Sequence, residues 1–188
     1  MVRPVSVTVS IILCSYNRAK HLEKTLQSLR ELNVPEGCTT ELLLVDNAST
    51  DATPEVMRTF DHPEMDVRVV REAKRGLSSA RNRGIAEARG NVLLFTDDDV
   101  RVPDRWIERM CRPILNGDAD AVAGGVEIAK SLRREWMTPQ HRTLLASTEQ
   151  IDPEAPKRLV GANMAIAKRV FKEIPGFDPE LGPGQLGL

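Results

Sequence analysis

The chain has 188 residues, of which 41% are hydrophobic and 28% are charged, and its formal net charge is -1. This balance is typical of one globular domain and argues against a disordered, collagen-like or membrane-spanning chain. The balanced charge favours neither nucleic acid nor an anionic membrane as a partner. Four Phe, two Trp and one Tyr are also few for a platform that stacks single-stranded nucleic acid.

The cysteines and the N-terminal residues indicate the compartment. Cys14, Cys38 and Cys111 are odd in number and far apart, which favours buried free thiols over a disulfide framework or a zinc site. The N-terminal residues 5–14 are too short and polar for the apolar region of a signal peptide. No apolar run reaches the ~18 residues of a membrane-spanning helix. We therefore expect a cytoplasmic protein, with a peripheral position at the inner face of a membrane left open.

The chain alternates predicted strands and helices. Runs rich in β-branched residues predict strands, and apolar residues at helical spacing, such as Leu22, Leu26 and Leu29, predict helices. The strands are expected at 5–14, 41–45, 67–70, 92–95 and 120–128, and the helices at 19–32 and 77–89 and after Thr53 and Pro103. This order predicts an α/β fold with a mostly parallel sheet covered by helices on both faces. Residues 129–158 break the pattern and are expected to form a long loop or small helices, with a lid as one interpretation.

Polar clusters follow three of the predicted strands, at 15–18, 46–51 and 97–99. In open α/β sheets, ligands bind beyond the carboxyl ends of the strands. The coincidence of the three clusters with strand ends predicts a binding site there. The alternative is that each cluster is only a turn, since Asp, Asn and Ser are common turn residues.

Three consecutive aspartates, Asp97, Asp98 and Asp99, follow the most continuous apolar strand. Adjacent carboxylates repel one another, and a divalent cation relieves that repulsion. Mg²⁺ bound by one or two carboxylates usually completes its coordination with substrate phosphates and water. The triplet therefore favours a Mg²⁺ or Mn²⁺ site that holds a diphosphate, and the alternative is a solvated turn before the helix at Pro103.

Four further side chains are candidates for binding a nucleotide. Asp46 could accept an N–H group from a base, although an isolated Asp at a strand end is more often a turn residue. Tyr16 could stack on a base, although alone it is more often a half-buried aromatic residue. Arg75 and Arg81 lie at the start of a helix, where anions are favoured, although a solvated helix face explains most nearby basic residues equally well.

Several catalytic classes lose support. Neither a phosphate loop, nor a dinucleotide fingerprint after the first strand, nor a nucleophile elbow occurs in the sequence. His21, His62 and His141 are far apart, and we expect all three to be solvated. A haloacid-dehalogenase-like phosphatase also uses Asp-x-Asp after a strand, but there the motif usually lies on the first strand rather than the fourth.

Five segments taken together resemble the family 2 inverting glycosyltransferases with the GT-A fold. They occur in the order SIILCSYNR (10–18), LLLVDNASTD (42–51), RGLSSARNRGI (75–85), LLFTDDDV (93–100) and GANMAIAKRVFKEIPGFDPEL (161–181). The resemblance covers the chain from residue 7 to about residue 183. It implies transfer of a sugar from a nucleotide-diphosphate donor to an acceptor hydroxyl.

The resemblance also implies roles for individual residues. Asp99 would be the principal ligand of Mn²⁺ or Mg²⁺, Asp46 would read the base, and residues 161–163 would face the donor sugar and the acceptor. The implied donor-binding residues are Ser15, Tyr16, Arg18, Asp46, Arg75, Arg81, Asp97 and Asp98, and the implied metal ligands are Asp97 and Asp99. The expected partners are a nucleotide sugar, with UDP as the expected nucleotide, and a carbohydrate, lipid-linked or small-molecule acceptor; a homodimer stays open.

The catalytic base departs from the pattern of similar enzymes. They place it in a Glu-Asp pair a few residues beyond the GFDPEL-like segment, where this chain has no such pair. Asp178 and Glu180 match a structural turn, so we assign no catalytic base. We expect residues 1–188 to be a single nucleotide-sugar-binding domain without its C-terminal catalytic-base and acceptor segment. The alternative function is a non-catalytic nucleotide-sugar-binding or scaffolding domain.

Overall fold

A computed structural model describes residues 8–145, 148 and 159–181 of the chain. These residues form a mixed sheet with helices on both faces. The strands are β1 (Val9–Ser15), β2 (Thr40–Asp46), β3 (Met65–Arg71), β4 (Val92–Asp97), β5 (Ala121–Ala123) and β6 (Asn163–Ala167). The helices are α1 (Ala19–Arg30), α2 (Thr53–Thr59), α3 (Leu77–Glu87), α4 (Trp106–Leu115) and α5 (Pro139–Leu144), with 3-10 turns at Lys130–Leu132 and Lys168–Lys172.

The strand order in the sheet is β3-β2-β1-β4-β6-β5. The first four strands are parallel, and β6 is antiparallel to both β4 and β5. The register places Ser15 beside Asp46 and Cys14 beside Asp97. The carboxyl ends of β1, β2 and β4 therefore meet at one edge, as the positions of the polar clusters predict.

The core lies on both faces of the sheet because successive strand side chains point to opposite faces. On β1, Ile11 and Leu13 pack against α1, α2 and α4, whereas Ile12 and Cys14 face α3 and the segment that contains Phe177. All seven residues of β1 are buried. Continuous burial of this kind is the mark of a central parallel strand, and it explains the unbroken apolar run in the sequence.

One prediction for the last third of the sheet is wrong. The strand expected over 120–128 has only the three residues of β5, because the chain leaves the sheet at Gly124. The Gly124 backbone makes its last sheet-like bond to the carbonyl of Asn163, and Val126 bonds instead to Thr148. The helix expected after Pro103 is confirmed and begins at Trp106, following a turn.

The expected free cysteines are confirmed, but one histidine differs from expectation. Cys14 and Cys111 are buried and Cys38 is half-buried, and all three are free thiols. His21 and His141 are exposed, whereas His62 is buried and its Nδ1 accepts the backbone N–H of Glu64. Burial lowers the pKa of His62 below its ordinary value of 6.5.

The region expected to break the pattern does so where it is described. It holds a 3-10 turn and the short helix α5, which Thr138 caps by accepting the backbone N–H of His141. The remainder of the expected lid, at 146–147 and 149–158, lies outside the described residues. Within the described part of the chain, none of the helices has the length and apolar character needed to cross a membrane.

Candidate nucleotide-sugar site

A cleft of about 820 Å³ lies at the carboxyl ends of β1, β2 and β4. This volume is within the usual range for small-molecule sites. The predicted residues that line the cleft are Ser15, Tyr16, Arg18, Arg75, Asp97, Asp98 and Asp99, joined by Cys14, Asn47, Gly76, Leu77 and Ala80. The fold therefore brings together side chains from three separate sequence clusters, as the strand-end argument predicts.

Two left-handed residues shape the loops that border the cleft. Asn17 and Ala48 have φ angles of 52° and 58°, in the loops that follow β1 and β2. Asn17 Oδ1 accepts the backbone N–H of Thr50 at 2.7 Å, and the Asn17 backbone N–H donates to Ser49 Oγ at 3.1 Å. These bonds join the first two strand-end loops into one rim.

Asn47 is the polar centre of this rim, although no sequence motif points to it. Its side chain is buried; Oδ1 accepts the Gly76 N–H at 2.9 Å and Nδ2 donates to the Lys74 carbonyl at 2.8 Å. Its backbone N–H donates to the Ser15 carbonyl. The side-chain amide therefore fixes the 72–76 loop at the end of β2, and the backbone N–H of the same residue joins it to β1. An Asn inside a turn-forming stretch was the only signal in the sequence.

Asp46 lies beside the cleft rather than on its surface. It is only 4% exposed, and its Oδ1 accepts the backbone N–H of Ser49 at 3.0 Å. This contact is the turn interaction that the sequence offered as the alternative to reading a base. Asp46 is not among the residues that line the cleft, and its neighbour Asn47 is.

Tyr16 and Arg75 form one wall of the cleft. The guanidinium carbon of Arg75 lies 4.8 Å from the centre of the Tyr16 ring, a distance at which a cation–π interaction is favourable. Gly76, with a φ of 129°, precedes α3 and turns the chain into the helix. This backbone conformation favours glycine and lets the basic loop approach the cleft.

The aspartate triplet at 97–99 lines the cleft at the end of β4, and its three carboxylates have different surroundings. Asp98 is the most buried; it accepts the Ser15 hydroxyl at 2.5 Å, and its backbone carbonyl accepts the hydroxyl of Thr25 at 2.6 Å. Asp97 is half-buried and Asp99 is exposed. The turn after β4 is thus anchored to β1 and α1 through its middle residue.

Two arginines balance the charge of the triplet. Arg81 pairs with Asp97 at 3.1 Å, and Arg18 contacts Asp98 at 2.8 Å and Asp99 at 2.7 Å. Burial raises the pKa of Asp97 and of Asp98 above the ordinary value of 3.8, and the neighbouring Asp99 carboxylate adds to both shifts. Arg81 opposes the shift at Asp97, while Ser15 and Arg18 oppose it at Asp98.

Arg81 pairs with Asp97 but is not among the residues that line the cleft. Its guanidinium lies over the Phe177 ring at 5.5 Å and packs against Gly161, where an added Cβ would collide with it. In this structure Arg81 positions Asp97 rather than facing the cleft directly.

Residues 161–163 lie near the aspartate triplet because Asn163 begins β6, which pairs with β4. Asn163 is opposite Thr96 in the sheet; its Oδ1 accepts the indole N–H of Trp106, and its Nδ2 donates to the Gly125 carbonyl, both at 2.8 Å. The segment is thereby tied to α4 and to the chain that leaves β5.

Neither the carboxylates nearest the expected position of the base nor the thiol in the cleft wall is placed for catalysis. Asp178 Oδ1 accepts the backbone N–H of Glu180 at 2.9 Å, which fits the turn expected there. Burial raises the pKa of Cys14 to about 12, so this thiol in the cleft wall is held neutral and is a poor nucleophile.

Residues 10–175 match the sequence profile of the family described as Glycosyl transferase family 2. The chain belongs to this family. Glycosyltransferase AglE of Haloferax volcanii is 33% identical over 120 residues, which are 63% of this chain and 39% of AglE. The uncharacterized glycosyltransferase EpsJ of Bacillus subtilis is 31% identical over 155 residues, which are 82% of this chain and 43% of EpsJ. This glycosyl transferase family 2 chain thus spans about two fifths of the length of these relatives.

Solved structures confirm the GT-A fold. Mannosyltransferase PcManGT of Pyrobaculum calidifontis, in complex with GDP-Man and Mn²⁺, matches 93% of this family 2 chain with a TM-score of 0.72 and 24% identity. The match covers 48% of the PcManGT chain. S. aureus TarS 1-349 in complex with UDP-GlcNAc matches 96% of the chain with a TM-score of 0.66 and 20% identity, covering 52% of the TarS chain.

Proposed function

We propose that this domain binds the donor of a glycosyltransferase that moves a sugar from a nucleotide diphosphate, with UDP as the preferred nucleotide, to an acceptor hydroxyl with inversion. The observation that carries the proposal is the cleft in this family 2 chain. The three carboxylates at 97–99 and the Tyr16–Arg75 pair line the same cleft, at the carboxyl ends of the strands. A nucleotide diphosphate offers complementary groups, because its base can stack on an aromatic ring and its phosphates require cations.

Divalent cation binding belongs to the proposal because the donor set fits Mn²⁺ or Mg²⁺. Asp97 and Asp99 both line the cleft, and each keeps one carboxylate oxygen without a hydrogen bond from any described residue. Across the described residues, no group of three or more His, Cys, Asp or Glu side chains forms a closed metal site. Two carboxylates plus substrate phosphates and water are the coordination that Mg²⁺ commonly adopts. When bound, the cation would neutralise charge on the diphosphate as the sugar leaves.

The similar structures support a nucleotide-sugar donor without deciding the base. PcManGT is in complex with GDP-Man and Mn²⁺, and TarS 1-349 is found in complex with UDP and with UDP-GlcNAc. We favour UDP on the resemblance to family 2 glycosyltransferases alone, since Asp46, which that resemblance assigns to the base, bonds within its own turn and lies outside the cleft lining. The free cysteines support a reducing compartment, which we take to be the cytoplasm.

Calorimetric titration tests the proposal. The chain is titrated with UDP, GDP and dTDP, each with saturating Mn²⁺ and again with EDTA. We expect UDP to bind most tightly and Mn²⁺ to strengthen its binding. A nucleotide at roughly 100 times its dissociation constant should also stabilise the fold by about 2.7 kcal/mol. Failure of all three nucleotides to bind in the presence of Mn²⁺ would refute the proposal.

The variant Asp99→Asn tests whether Asp99 is a ligand of the metal ion. We expect this variant to lose about tenfold or more of the Mn²⁺-dependent affinity for UDP, while its affinity in EDTA changes little. Asp118→Asn is the matched control, because Asp118 is exposed in the loop after α4 and lies outside the cleft lining. Equal affinities of both variants with Mn²⁺ would remove Asp99 from the metal site.

A further inference from the structure

Arg18 contacts carboxylate oxygens of the aspartates that line the proposed metal site. Its Nη2 donates to Asp99 Oδ2 at 2.7 Å, and its Nε lies 2.8 Å from Asp98 Oδ1. Asp99 is also one of the two carboxylates assigned to the cation. The guanidinium therefore stands where a divalent cation would compete with it for the same negative charge.

Of the two arginines that balance the triplet, Arg18 is the more easily displaced. Its side chain is 39% exposed and that of Asp99 is 54% exposed, whereas the Arg81 side chain is 13% exposed and pinned between Phe177 and Gly161. The Nε of Arg18 is buried but makes no hydrogen bond with any described residue, so its contact with Asp98 is ionic with poor geometry. The exposed pair with Asp99 contributes little, whereas Asp98 is only 10% exposed; at Asp99, a doubly charged ion competes with a single guanidinium for the carboxylate.

We propose that Arg18 is an internal counter-ion that the divalent cation displaces. It pairs with Asp98 and Asp99 while the cation is absent. When the cation takes Asp99, the released guanidinium turns to the diphosphate of the donor. This inference rests on the proposed function. Arg18 lines the cleft, and a guanidinium offers the paired N–H groups that bind phosphate oxygens.

Such an exchange couples the two ligands. Opening the ion pair costs free energy once, whether the cation, the nucleotide or both are bound, so each ligand makes binding of the other easier. Removing the Arg18 charge removes that shared cost. The cation alone should then bind more tightly, and part of the coupling between the cation and the nucleotide should disappear.

Mn²⁺ binding without nucleotide provides the decisive measurement. The electron paramagnetic resonance signal of free Mn²⁺ is followed as each protein is added, for the wild-type chain and for Arg18→Gln. We expect Arg18→Gln to bind Mn²⁺ about fivefold more tightly, the upper range for loss of a partly exposed ion pair. Damage to the fold would weaken binding, so a gain in affinity reports the counter-ion itself. Unchanged or weaker binding by a folded Arg18→Gln would overturn the inference.

Arg101→Gln is the matched control for the lost positive charge. Arg101 lies four residues or fewer from each aspartate in sequence, and its Nη1 donates to Thr25 Oγ1 at 2.8 Å, but it forms no ion pair with the triplet among the described residues. We expect its Mn²⁺ affinity to change by less than about twofold, since only screened long-range charge is removed. An equal gain in both variants would overturn the inference in favour of a general charge effect.

A second titration separates this inference from the proposed function. The ratio of UDP affinities with and without Mn²⁺ should fall about fivefold in Arg18→Gln, matching the gain in Mn²⁺ affinity by reciprocity. If the wild-type chain binds UDP with Mn²⁺ but this ratio is unchanged in the variant, the counter-ion role fails and the proposed function stands. If the wild-type chain binds neither ligand, both fail.

Discussion

At the scale of single residues, Asn47 connects parts of the cleft that come from three different loops, although no sequence motif pointed to it. Its side-chain amide joins the 72–76 loop to the end of β2 through bonds to Gly76 and Lys74, and its backbone N–H donates to Ser15 at the end of β1. The same loop carries Arg75, whose guanidinium lies over the Tyr16 ring. The position of the aromatic wall therefore depends on one buried amide.

Asn47→Ala should destabilise the domain and weaken nucleotide binding together. The substitution leaves the Gly76 N–H and the Lys74 carbonyl without their partner, and an unsatisfied buried polar group costs about 1–3 kcal/mol. We expect a fall of that size in the free energy of unfolding, measured by urea denaturation, and a several-fold loss of affinity for UDP with Mn²⁺.

Asn91→Ala is the control for this prediction. Asn91 is exposed before β4 and bonds through its backbone to Thr8 and Lys168, so its side chain should be dispensable. We expect a change within about 0.5 kcal/mol. If Asn47→Ala behaves like Asn91→Ala, the amide does not hold the loop.

At the scale of elements, α3 reaches the sheet closely because Gly84 faces β1. A Cβ at Gly84 would lie 2.5 Å from Ile12 Cγ2. The same helix carries Arg81, which contacts Asp97 at the end of β4. The distance between α3 and the sheet therefore sets where Arg81 meets the aspartate triplet.

Gly84→Ala should destabilise the domain although alanine is the better helix former. Helix propensity alone predicts a gain of up to about 1 kcal/mol. The contact with the β-branched Ile12, which has little freedom to move, should outweigh that gain and give a net loss of about 1–3 kcal/mol. Thermal and urea unfolding measure the difference.

Ala86→Gly is the control: it makes the opposite substitution, alanine to glycine, on the exposed side of α3. It should cost about 1 kcal/mol from helix propensity alone. Both substitutions are thus expected to destabilise, although propensity assigns them opposite signs. A stabilised Gly84→Ala would show that α3 does not need glycine to approach the sheet.

At the scale of the whole molecule, Glu41 links several segments at the end of the sheet that lies away from the cleft. Its carboxylate is fully buried; it accepts the Ser10 hydroxyl and the Arg89 backbone N–H, both at 2.6 Å, and pairs with Arg68 at 2.9 Å. Burial alone would raise the pKa of Glu41. The hydrogen bonds and the charge of Arg68 outweigh burial and hold the pKa below its ordinary value of 4.5.

Glu41 should contribute stability that acid removes. Because its pKa is lower in the folded state, the unfolded chain takes up the proton first as the pH falls. The contribution is complete above about pH 4.5 and is lost as the pH falls through the lower folded value. We expect Glu41→Gln to cost about 1–3 kcal/mol at pH 7, and the difference from the wild type to shrink in urea unfolding near pH 3.

Glu23→Gln is the control, since Glu23 is exposed on α1. Its unfolding free energy should follow that of the wild type within about 0.5 kcal/mol at both pH values. A Glu41→Gln deficit that does not change with pH would contradict a role for the charged carboxylate.

The sequence predicted the parallel strands well and the last third of the sheet poorly. The strands β1, β2 and β4 are buried on both faces, so they appear as continuous apolar runs with polar clusters at their ends. The strand predicted over 120–128 is short because Gly124 lies against Asn163, about forty residues further along the chain. That contact, like the antiparallel direction of β6, depends on long-range pairing that no local pattern encodes.

The sequence by itself determined the α/β order, the edge where the site lies, and most of the residues that line the cleft. It could do so because strand ends and turn residues are local features, and parallel strands share one carboxyl edge. Only the tertiary structure decided which candidates act together: Asp46 is used in its own turn, Asn47 fixes the basic loop, and Arg18 pairs with the triplet at 97–99. Those roles depend on distances between side chains far apart in the chain, which exist only once the sheet has formed.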